Sequence, residues 1–364
     1  MNLSEIFLEE EIADSAMAAA VRQTLPSTIF RTIDLETIRS MNTSRLVEWD
    51  EPRLLLAKQR GRFLRLCPGY QGINCCSYFI LNVINGCPFT CTYCALGALR
   101  NSPFIAAYTN MEDLETELER YVFSDSSRIH RVGTGQFSDS LALDTLLGIS
   151  PRLVDLFAER GKGFLELKSK SNDITHLKGE DHRFRTIVSF SLSLPEIVER
   201  DEGESSTLRE RLEAAATVQS WGYRVGLHFD PLVDITGWKS RYREVLEMIG
   251  DMLVSDAVVW VSLGTLRLDR SLLHRMREFT PRTQLDLSEF TMGYDGRWRY
   301  LPDTRRSLYG ELAGGLRNMG LPVYLCMEAP RFWRDALGWK PKHPTDVKEM
   351  LDDWALHRWP KGWG

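Results

Sequence analysis

The chain of 364 residues lacks any apolar run close to the roughly 18 residues that a membrane-spanning helix needs. Its first residues, "MNLSEIFLEEEIADS", lack the basic segment and apolar stretch of a secretory signal, so we expect no signal peptide. An excess of positive charge is also missing. The formal net charge of −5 gives no bulk attraction to nucleic acid, so nucleic-acid binding would need a local basic patch.

The seven cysteines do not form the pattern of a disulfide framework, because their number is odd and the chain is long. We therefore expect reduced thiols and a cytoplasmic protein that does not associate with a membrane. Hydrophobic residues make up 43% and charged residues 26% of the chain, which is ordinary for a globular protein with a sizeable core.

Short apolar runs alternate with helical patterns from residue 78 onward, which is typical of an α/β fold with a parallel sheet. Six such units predict a partial (β/α)₆ barrel that works at the carboxyl ends of its strands. A doubly wound sheet is the alternative, but no G-x-G-x-x-G follows a strand here. The six predicted strands are 78–84, 128–135, 164–170, 186–192, 223–229 and 257–266.

The predicted organisation has three parts. Residues 1–60 form a small α/β lead-in, with a helix in "SEIFLEEEIADSAMAAAVRQTL" and a strand in "STIFRTI". Residues 61–330 form the partial barrel, with a hairpin near 290–300. Residues 331–364 form a tryptophan-rich extension, which we expect to pack on the barrel as a helix.

Three cysteines lie within eight positions in "NGCPFTCTYC", namely Cys87, Cys91 and Cys94. The loop follows the first barrel strand, on the face where barrel enzymes work. Structural zinc needs four ligands, and no second pair of cysteine or histidine ligands follows within reach in the sequence. Buried, unliganded thiols are the plainest alternative. A [4Fe–4S] cluster held by three cysteines leaves one iron open for a substrate or cofactor.

The spacing C-x₃-C-x₂-C resembles that of the radical S-adenosylmethionine (SAM) superfamily. This resemblance implies a [4Fe–4S] cluster on the three cysteines and SAM bound to the open iron. It also implies reductive cleavage of SAM to a 5′-deoxyadenosyl radical, with an electron donor such as flavodoxin or ferredoxin. Tyr93 stands where the superfamily usually has an aromatic residue.

From about residue 60 to 330 the chain is similar to the spore photoproduct lyase branch of that superfamily. The similarity is carried by "CPGYQGINCCSYFILNVINGCPFTCTYC", "VGTGQFSDSLALD", "RLEAAATVQSWGYRVGLHFDP" and "GLPVYLCMEAP". It implies a lyase that acts on damaged DNA. It also implies that three side chains help to hold SAM: Ser138, Lys170 and Ser191.

Two further positions belong to the implied SAM site. Gly133 and Gly135 stand where related proteins place a glycine-rich strand end against the SAM amine, although a simple turn is the alternative. Asp230 stands where the lyase approaches the adenosine, and a helix cap or turn residue is the alternative. Lys168 is a rival for the role of Lys170, which is otherwise a solvated lysine at a strand end.

Two departures from the lyase pattern bear on the reaction. Gln136 stands where the lyase has the cysteine that returns hydrogen to its product radical, and Ala95 replaces the tyrosine that follows the third cluster cysteine. We treat Tyr93 and Gln136 as the catalytic candidates. The departures favour a second hypothesis, a radical modification of a small molecule, peptide or RNA. A non-catalytic, zinc-stabilised nucleic-acid binder is a third.

Two more features have two interpretations each. Cys67, Cys75 and Cys76 are either structural thiols or ligands of a second metal, and the adjacent pair points apart in an extended chain.

The segment 290–302 predicts a hairpin with a two-residue Asp-Gly turn. Its side chains at 297–300 either contact a flipped lesion in DNA or form an ordinary amphipathic hairpin.

Overall fold

The computed structural model describes residues 3, 5–41, 53–67, 73, 75–96, 102–125, 127–279, 283, 285–293, 295–343 and 345–358. An eight-stranded sheet, curled into a half-barrel, dominates the fold. Its strand order is β16-β12-β11-β10-β9-β8-β5-β4, and all pairs are parallel except that of β4 with β5. The strands are β4 (Leu64–Leu66), β5 (Phe79–Leu81), β8 (Arg131–Gly133), β9 (Phe164–Ser169), β10 (Thr186–Ser191), β11 (Arg224–Leu232), β12 (Val258–Thr265) and β16 (Val323–Leu325).

Two of the inner strands are buried along their whole length. Every residue of β10 and β12 is buried, as expected for parallel strands that are covered on both faces. All six strands predicted for the barrel are confirmed as β5, β8, β9, β10, β11 and β12. The predicted α/β half-barrel is therefore confirmed.

Helices lie between and after these strands. They are α3 (Met111–Leu118), α4 (Asp144–Leu147), α5 (Ile149–Arg160), α6 (Pro195–Asp201), α7 (Leu208–Ser220), α8 (Trp238–Met252), α9 (Arg270–Phe279), α10 (Pro302–Asn318), α11 (Pro330–Leu337) and α12 (Asp346–His357). Helix α7 begins at a capping box in which Thr207 and Glu210 satisfy each other's backbone N–H groups. Single turns of other helix types occupy Glu10–Ile12, Glu119–Phe123, Thr175–Leu177 and Ser255–Ala257.

A second sheet of five strands has the order β2-β1-β3-β7-β6. Its strands are β1 (Glu5–Glu9), β2 (Ile29–Ile33), β3 (Arg53–Ala57), β6 (Ile84–Asn85) and β7 (Phe104–Tyr108), with α1 (Ala16–Thr24) and α2 (Leu35–Met41) in the connections. The expected helix from residue 4 is wrong over β1, because Ile6, Phe7 and Leu8 form a continuous buried run between β2 and β3. Strands β6 and β7 of this sheet lie beyond residue 60, so the sheet includes residues from both sides of the predicted boundary between lead-in and barrel. The predicted domain boundaries remain predictions.

The hairpin near residue 290 is present as β14 (Phe290–Met292) and β15 (Trp298–Tyr300), with the short strand β13 (Arg267–Leu268) beside β15. The Gly293 N–H donates to the Arg297 carbonyl at 2.8 Å, so three residues form the loop rather than the expected two. Gly296 has φ +72°, the left-handed conformation that such a three-residue loop needs.

The tryptophan-rich segment contains α11 and α12, and Trp333 is completely buried. Helix α12 contacts the amino ends of the barrel strands. Asp352 pairs with Arg131 at 2.8 Å, the Ala355 carbonyl accepts from Arg224, and Arg358 donates to the Val258 carbonyl. Helix α12 therefore closes the floor of the barrel, opposite its working face.

Candidate active site

The cysteine loop begins directly after β6. Gly86 has φ +103°, and a Cβ there would lie 3.2 Å from the Cα of Ile105, so only glycine suits this backbone. The Gly86 N–H donates to the Phe137 carbonyl at 2.9 Å, which ties the loop to the segment that follows β8. The Cys94 N–H donates to the Cys91 carbonyl, which closes a turn around the last two cysteines.

The three thiols of this loop act electrostatically on one another. Burial raises the pKa of Cys87 well above its ordinary value, and Asp139, Cys91 and Cys94 raise it further. Burial likewise raises the pKa of Cys91 to about 12, while Lys170 opposes the shift. Iron binding would therefore have to displace protons from Cys87 and Cys91.

Within the described residues, no three His, Cys, Asp or Glu side chains are grouped so that they could hold a metal ion together. A mononuclear zinc site would need donors that converge on one point. A [4Fe–4S] cluster instead places each thiolate on a different iron, so spread thiols on one loop are compatible with it.

The segment that ends α6 forms hydrogen bonds with the cysteine loop. The Asp201 carbonyl accepts from the Thr92 N–H at 2.8 Å, and the Asp201 carboxylate accepts from the Thr92 hydroxyl at 2.6 Å. Gly203 has φ +61°, and a Cβ there would lie 2.5 Å from Oγ1 of Thr90. The Glu202 carbonyl accepts from the Cys91 thiol at 3.8 Å. We call residues 201–203 the pedestal.

Glu202 joins the pedestal to the predicted SAM-binding lysine. Its carboxylate is completely buried between Lys170, at 2.6 Å, and Arg211, which is also completely buried. It also accepts from the hydroxyls of Tyr93 and Ser193. Burial raises the pKa of Glu202, but Lys170 and Arg211 outweigh this effect and hold it far below the usual range.

Lys170, and not its rival Lys168, belongs to this network. The Lys170 ammonium donates to the Tyr93 hydroxyl at 2.8 Å and lies close enough to Cys91 to lower its pKa. The structure therefore brings together the three cysteines, Tyr93 and Lys170.

Of the predicted serines, Ser138 lies in the loop after β8 and Ser191 is the last residue of β10. Ser138 is buried, and its hydroxyl has no hydrogen-bond partner among the described residues. Because buried polar groups are normally hydrogen-bonded, this hydroxyl is suited to bind a ligand. Ser191 ends β10, and its carbonyl accepts from Arg211 at 2.8 Å. Gly133 and Gly135 have packing reasons of their own: a Cβ would lie 2.7 Å from the Tyr78 ring and 2.8 Å from Cβ of Lys168, respectively.

Asp230 has a partner within the protein. Both of its carboxylate oxygens accept from Nη2 of Arg267, at 2.8 and 2.9 Å, and Arg267 also donates to the Cys326 carbonyl. Asp230 lies within β11, so the alternative of a helix cap is wrong. Any contact with adenosine would use a carboxylate that is already paired.

Sequence reasoning missed Glu166, the centre of a polar network inside the barrel. One of its oxygens accepts from Ser189 at 2.6 Å, lies 2.8 Å from Nε2 of His228, and accepts from Nε1 of Trp260 at 3.2 Å. Burial raises the pKa of Glu166, but His228 and Ser189 bring it down to about 2. A glutamate among the apolar residues of "FLELKSK" was the available signal. Glu202 gave none, because its partners are distant in sequence.

The hairpin does not present its cations and rings as predicted. Arg299 is buried and pairs with Asp295, and buried Tyr300 accepts from the Asp234 N–H at 3.2 Å. Trp298 is half-buried against the core. The expectation that all four side chains at 297–300 face a ligand is wrong for Arg299 and Tyr300, because both side chains are buried and already bonded within the protein.

Comparison with known proteins was made against family models, curated sequences and solved structures. The model of the spore photoproduct lyase family matches residues 71–302, which include the cysteine loop, the pedestal and the hairpin. The chain belongs to this family. The spore photoproduct lyase of Bacillus subtilis (strain 168) is 25% identical over 232 residues, which cover 61% of this chain and 68% of the relative. That of Clostridium acetobutylicum is 23% identical over 228 residues, with the same coverage.

Solved structures agree in fold. Spore photoproduct lyase complexed with dinucleoside spore photoproduct has a TM-score of 0.75 at 18% identity, covering 89% of this chain and 98% of the other. A mutant lyase with bound AdoMet and dinucleoside spore photoproduct has a TM-score of 0.74 at 19% identity, with the same coverage.

Family membership confirms three predictions: the spore photoproduct lyase-like branch, a radical SAM enzyme, and a [4Fe–4S] cluster with SAM as cofactors. None of the described helices is both long and apolar enough to span a membrane. The individual site residues, the cytoplasmic location and the electron donor remain predictions.

Proposed function

We propose that this chain binds a [4Fe–4S] cluster through Cys87, Cys91 and Cys94 and acts on damaged DNA as a radical SAM repair enzyme. The observation that carries the proposal is the contact between the cysteine loop and Lys170, within the segment that matches the family model. The cluster, when bound, supplies the electron that cleaves SAM reductively.

The chain's own residues have separate roles in this proposal. Lys170 is the point cation for the SAM carboxylate, and Glu202 with Arg211 fixes its position. Ser138 offers its unpartnered hydroxyl to the ribose or amino group. Tyr93 lies on the cysteine loop beside Lys170, where its hydroxyl accepts from Lys170 and donates to Glu202.

A thymine lesion is the favoured substrate because two solved relatives are complexes with dinucleoside spore photoproduct. A lesion inside a duplex must leave the base stack to reach a barrel interior, at a cost of a few kcal/mol. The second candidate, a small molecule, peptide or RNA, is favoured by Gln136 and Ala95, which depart from the lyase pattern.

The deciding experiment is anaerobic reconstitution followed by incubation with SAM, a one-electron reductant and a choice of substrates. Dinucleoside spore photoproduct, UV-irradiated DNA and intact DNA are compared for lesion loss and for 5′-deoxyadenosine. We expect lesion loss with the first two and only background cleavage of SAM with intact DNA. The Cys91→Ala protein is the control, and it should lack both cluster and products.

Two outcomes would contradict the proposal in different ways. A full cluster in Cys91→Ala would overturn the ligand assignment. SAM cleavage by the native protein with no lesion loss on either damaged substrate would move the function to the second candidate.

DNA contact by the hairpin is tested at Arg297, because removing Arg299 would break the ion pair with Asp295. We expect Arg297→Ala to weaken binding to a damaged duplex and to lower its salt dependence. Arg334→Ala removes an exposed arginine from α11 and is the charge-matched control. Equal affinities of both variants at low salt would remove the hairpin from the interface.

A further inference from the structure

Four cysteines outside the cluster loop lie beside the outer strands of the half-barrel sheet. Cys67 follows β4, and Cys75 and Cys76 precede β5, at one edge; Cys326 follows β16 at the other. The Cys75 thiol forms hydrogen bonds with those of Cys67 and Cys76, and both Cys75 and Cys76 act electrostatically on Cys326. We call these four residues the edge thiols.

Two tyrosines lie near Cys76 and Cys326. Tyr78 and Tyr324 both lie close enough to Cys76 and Cys326 for these thiols to raise their pKa, after the larger effect of burial. The Tyr78 hydroxyl donates to Oε1 of Gln136 at 3.3 Å, and its ring packs against Gly133. Tyr78 therefore contacts exposed Gln136 and lies within electrostatic range of Cys67, Cys76 and Cys326.

Three of the edge thiols, Cys75, Cys76 and Cys326, have a raised pKa and keep their protons at neutral pH. Burial, followed by the charge of Asp230, raises the pKa of Cys326 to about 12. A hydrogen bond from Cys75 and burial raise the pKa of Cys76 well above its usual value. The thiolate is the nucleophile and the metal ligand, so neutral thiols suit neither task. A neutral S–H is, however, a good hydrogen-atom donor to a carbon radical.

We propose that Cys326 donates the hydrogen atom that quenches the substrate radical, an inference that rests on the proposed function. Cys326 is chosen because it follows the carboxyl end of β16, at the working face, and its carbonyl is bonded to Arg267, the partner of Asp230. Cys67, Cys75 and Cys76 flank the other edge of the sheet.

The step balances without a separate electron or proton. One S–H bond breaks, one C–H bond forms on the substrate, and Cys326 becomes a thiyl radical. A low-molecular-weight thiol, the co-reactant, returns a hydrogen atom to Cys326, and two of the resulting thiyl radicals combine as a disulfide. Repeated turnover therefore requires added thiol, whereas a single turnover does not.

The test follows deuterium into the repaired product, since an S–H proton exchanges with solvent. The reconstituted protein is incubated in D₂O with SAM, reductant and dinucleoside spore photoproduct. We expect one solvent deuterium per product molecule from the native protein. In Cys326→Ala, the deuterium content should fall several-fold, and unquenched side products should appear.

Cys67→Ala is the matched control, because it removes an edge thiol from the opposite edge and should keep the native deuterium content. Lesion loss with unchanged deuterium in Cys326→Ala overturns the donor and leaves the proposed function intact. The absence of lesion loss in the native protein overturns both. A second measurement needs no cofactor: Raman spectra at pH 8 should show an S–H band that Cys326→Ala diminishes, and no such loss also overturns the proposal.

Discussion

Lys170 and Lys168 differ in their surroundings although they are only two residues apart: Lys168 lies in β9, and Lys170 directly follows the strand. Lys170 donates to Tyr93 and to completely buried Glu202, whereas no hydrogen bond from the Lys168 ammonium is found within the described part of the chain. A lysine that is already positioned loses less side-chain entropy when it binds a carboxylate. Lys170 is therefore better positioned than Lys168 to bind the SAM carboxylate.

We predict that Lys170→Gln lowers the affinity for SAM roughly tenfold to a hundredfold, because a charge-assisted hydrogen bond contributes about 1.5–3 kcal/mol. Equilibrium binding of SAM to the reconstituted protein measures this. Lys168→Gln, the matched control, should bind nearly as well as native. The reverse ranking, with equal iron content in both variants, would assign the role to Lys168.

Glu166 links stability to pH. Its pKa falls from a usual value near 4.5 to about 2 in the folded protein. The stabilisation is therefore present above pH 4.5 and is lost as the pH falls from 4.5 towards 2. The shift corresponds to roughly 3 kcal/mol.

We predict that Glu166→Gln is less stable than native at pH 6 and that the two proteins converge as the pH falls below 4.5. Urea unfolding at several pH values measures the difference. Glu159→Gln changes an exposed carboxylate on α5 and should run parallel to native throughout. A constant difference between Glu166→Gln and native across this range would contradict the assignment.

At the scale of elements, the pedestal explains how a loop of three cysteines keeps its shape. Gly203 is the critical point, since its φ of +61° and its approach to Thr90 both exclude a side chain. An L-residue pays about 1–2 kcal/mol in the left-handed region wherever it occurs. The contact with Thr90 adds a displacement of the cysteine loop itself.

We predict that Gly203→Ala lowers iron content and SAM cleavage several-fold while the fold persists by circular dichroism. Gly179→Ala is the matched control, because Gly179 has φ +85° but nothing within 4 Å of its Cβ position. It carries the same backbone strain without the contact. Equal loss of iron in both variants would mean that strain alone, and not the pedestal, is responsible.

The strands of the barrel could be predicted because each is a continuous apolar run, and the cluster loop because its cysteines are neighbours in sequence. Strand β1 could not, since "EIFLE" merges with the apolar spacing of the helix that follows. The pairs Glu202–Tyr93 and Asp230–Arg267 join residues far apart in the chain. No local pattern encodes such contacts, so only the fold reveals them.

At the scale of the whole molecule, α12 holds two buried arginines of the barrel floor. Arg131 is bonded to Asp352, and Arg224 to the Ala355 carbonyl. Removing one partner of a buried pair leaves an uncompensated charge, which costs about 3–5 kcal/mol.

We predict that Asp352→Ala loses about this much free energy of unfolding. Asp353→Ala removes the neighbouring exposed carboxylate and should change stability by less than about 0.5 kcal/mol. Denaturant titration of both variants measures the effect. A loss in Asp353→Ala as large as that in Asp352→Ala would show that α12 depends on helix propensity and not on its contact with the floor.

The closure of the floor by α12 also sets an order of events during biosynthesis. The cysteine loop leaves the ribosome well before residues 346–357, which complete the barrel. A nascent chain therefore carries its cysteines in an unfinished barrel until those residues are made. We expect the cell to install iron and sulfide only after α12 has packed against the floor, and to do so through the working face, since the opposite end is by then closed.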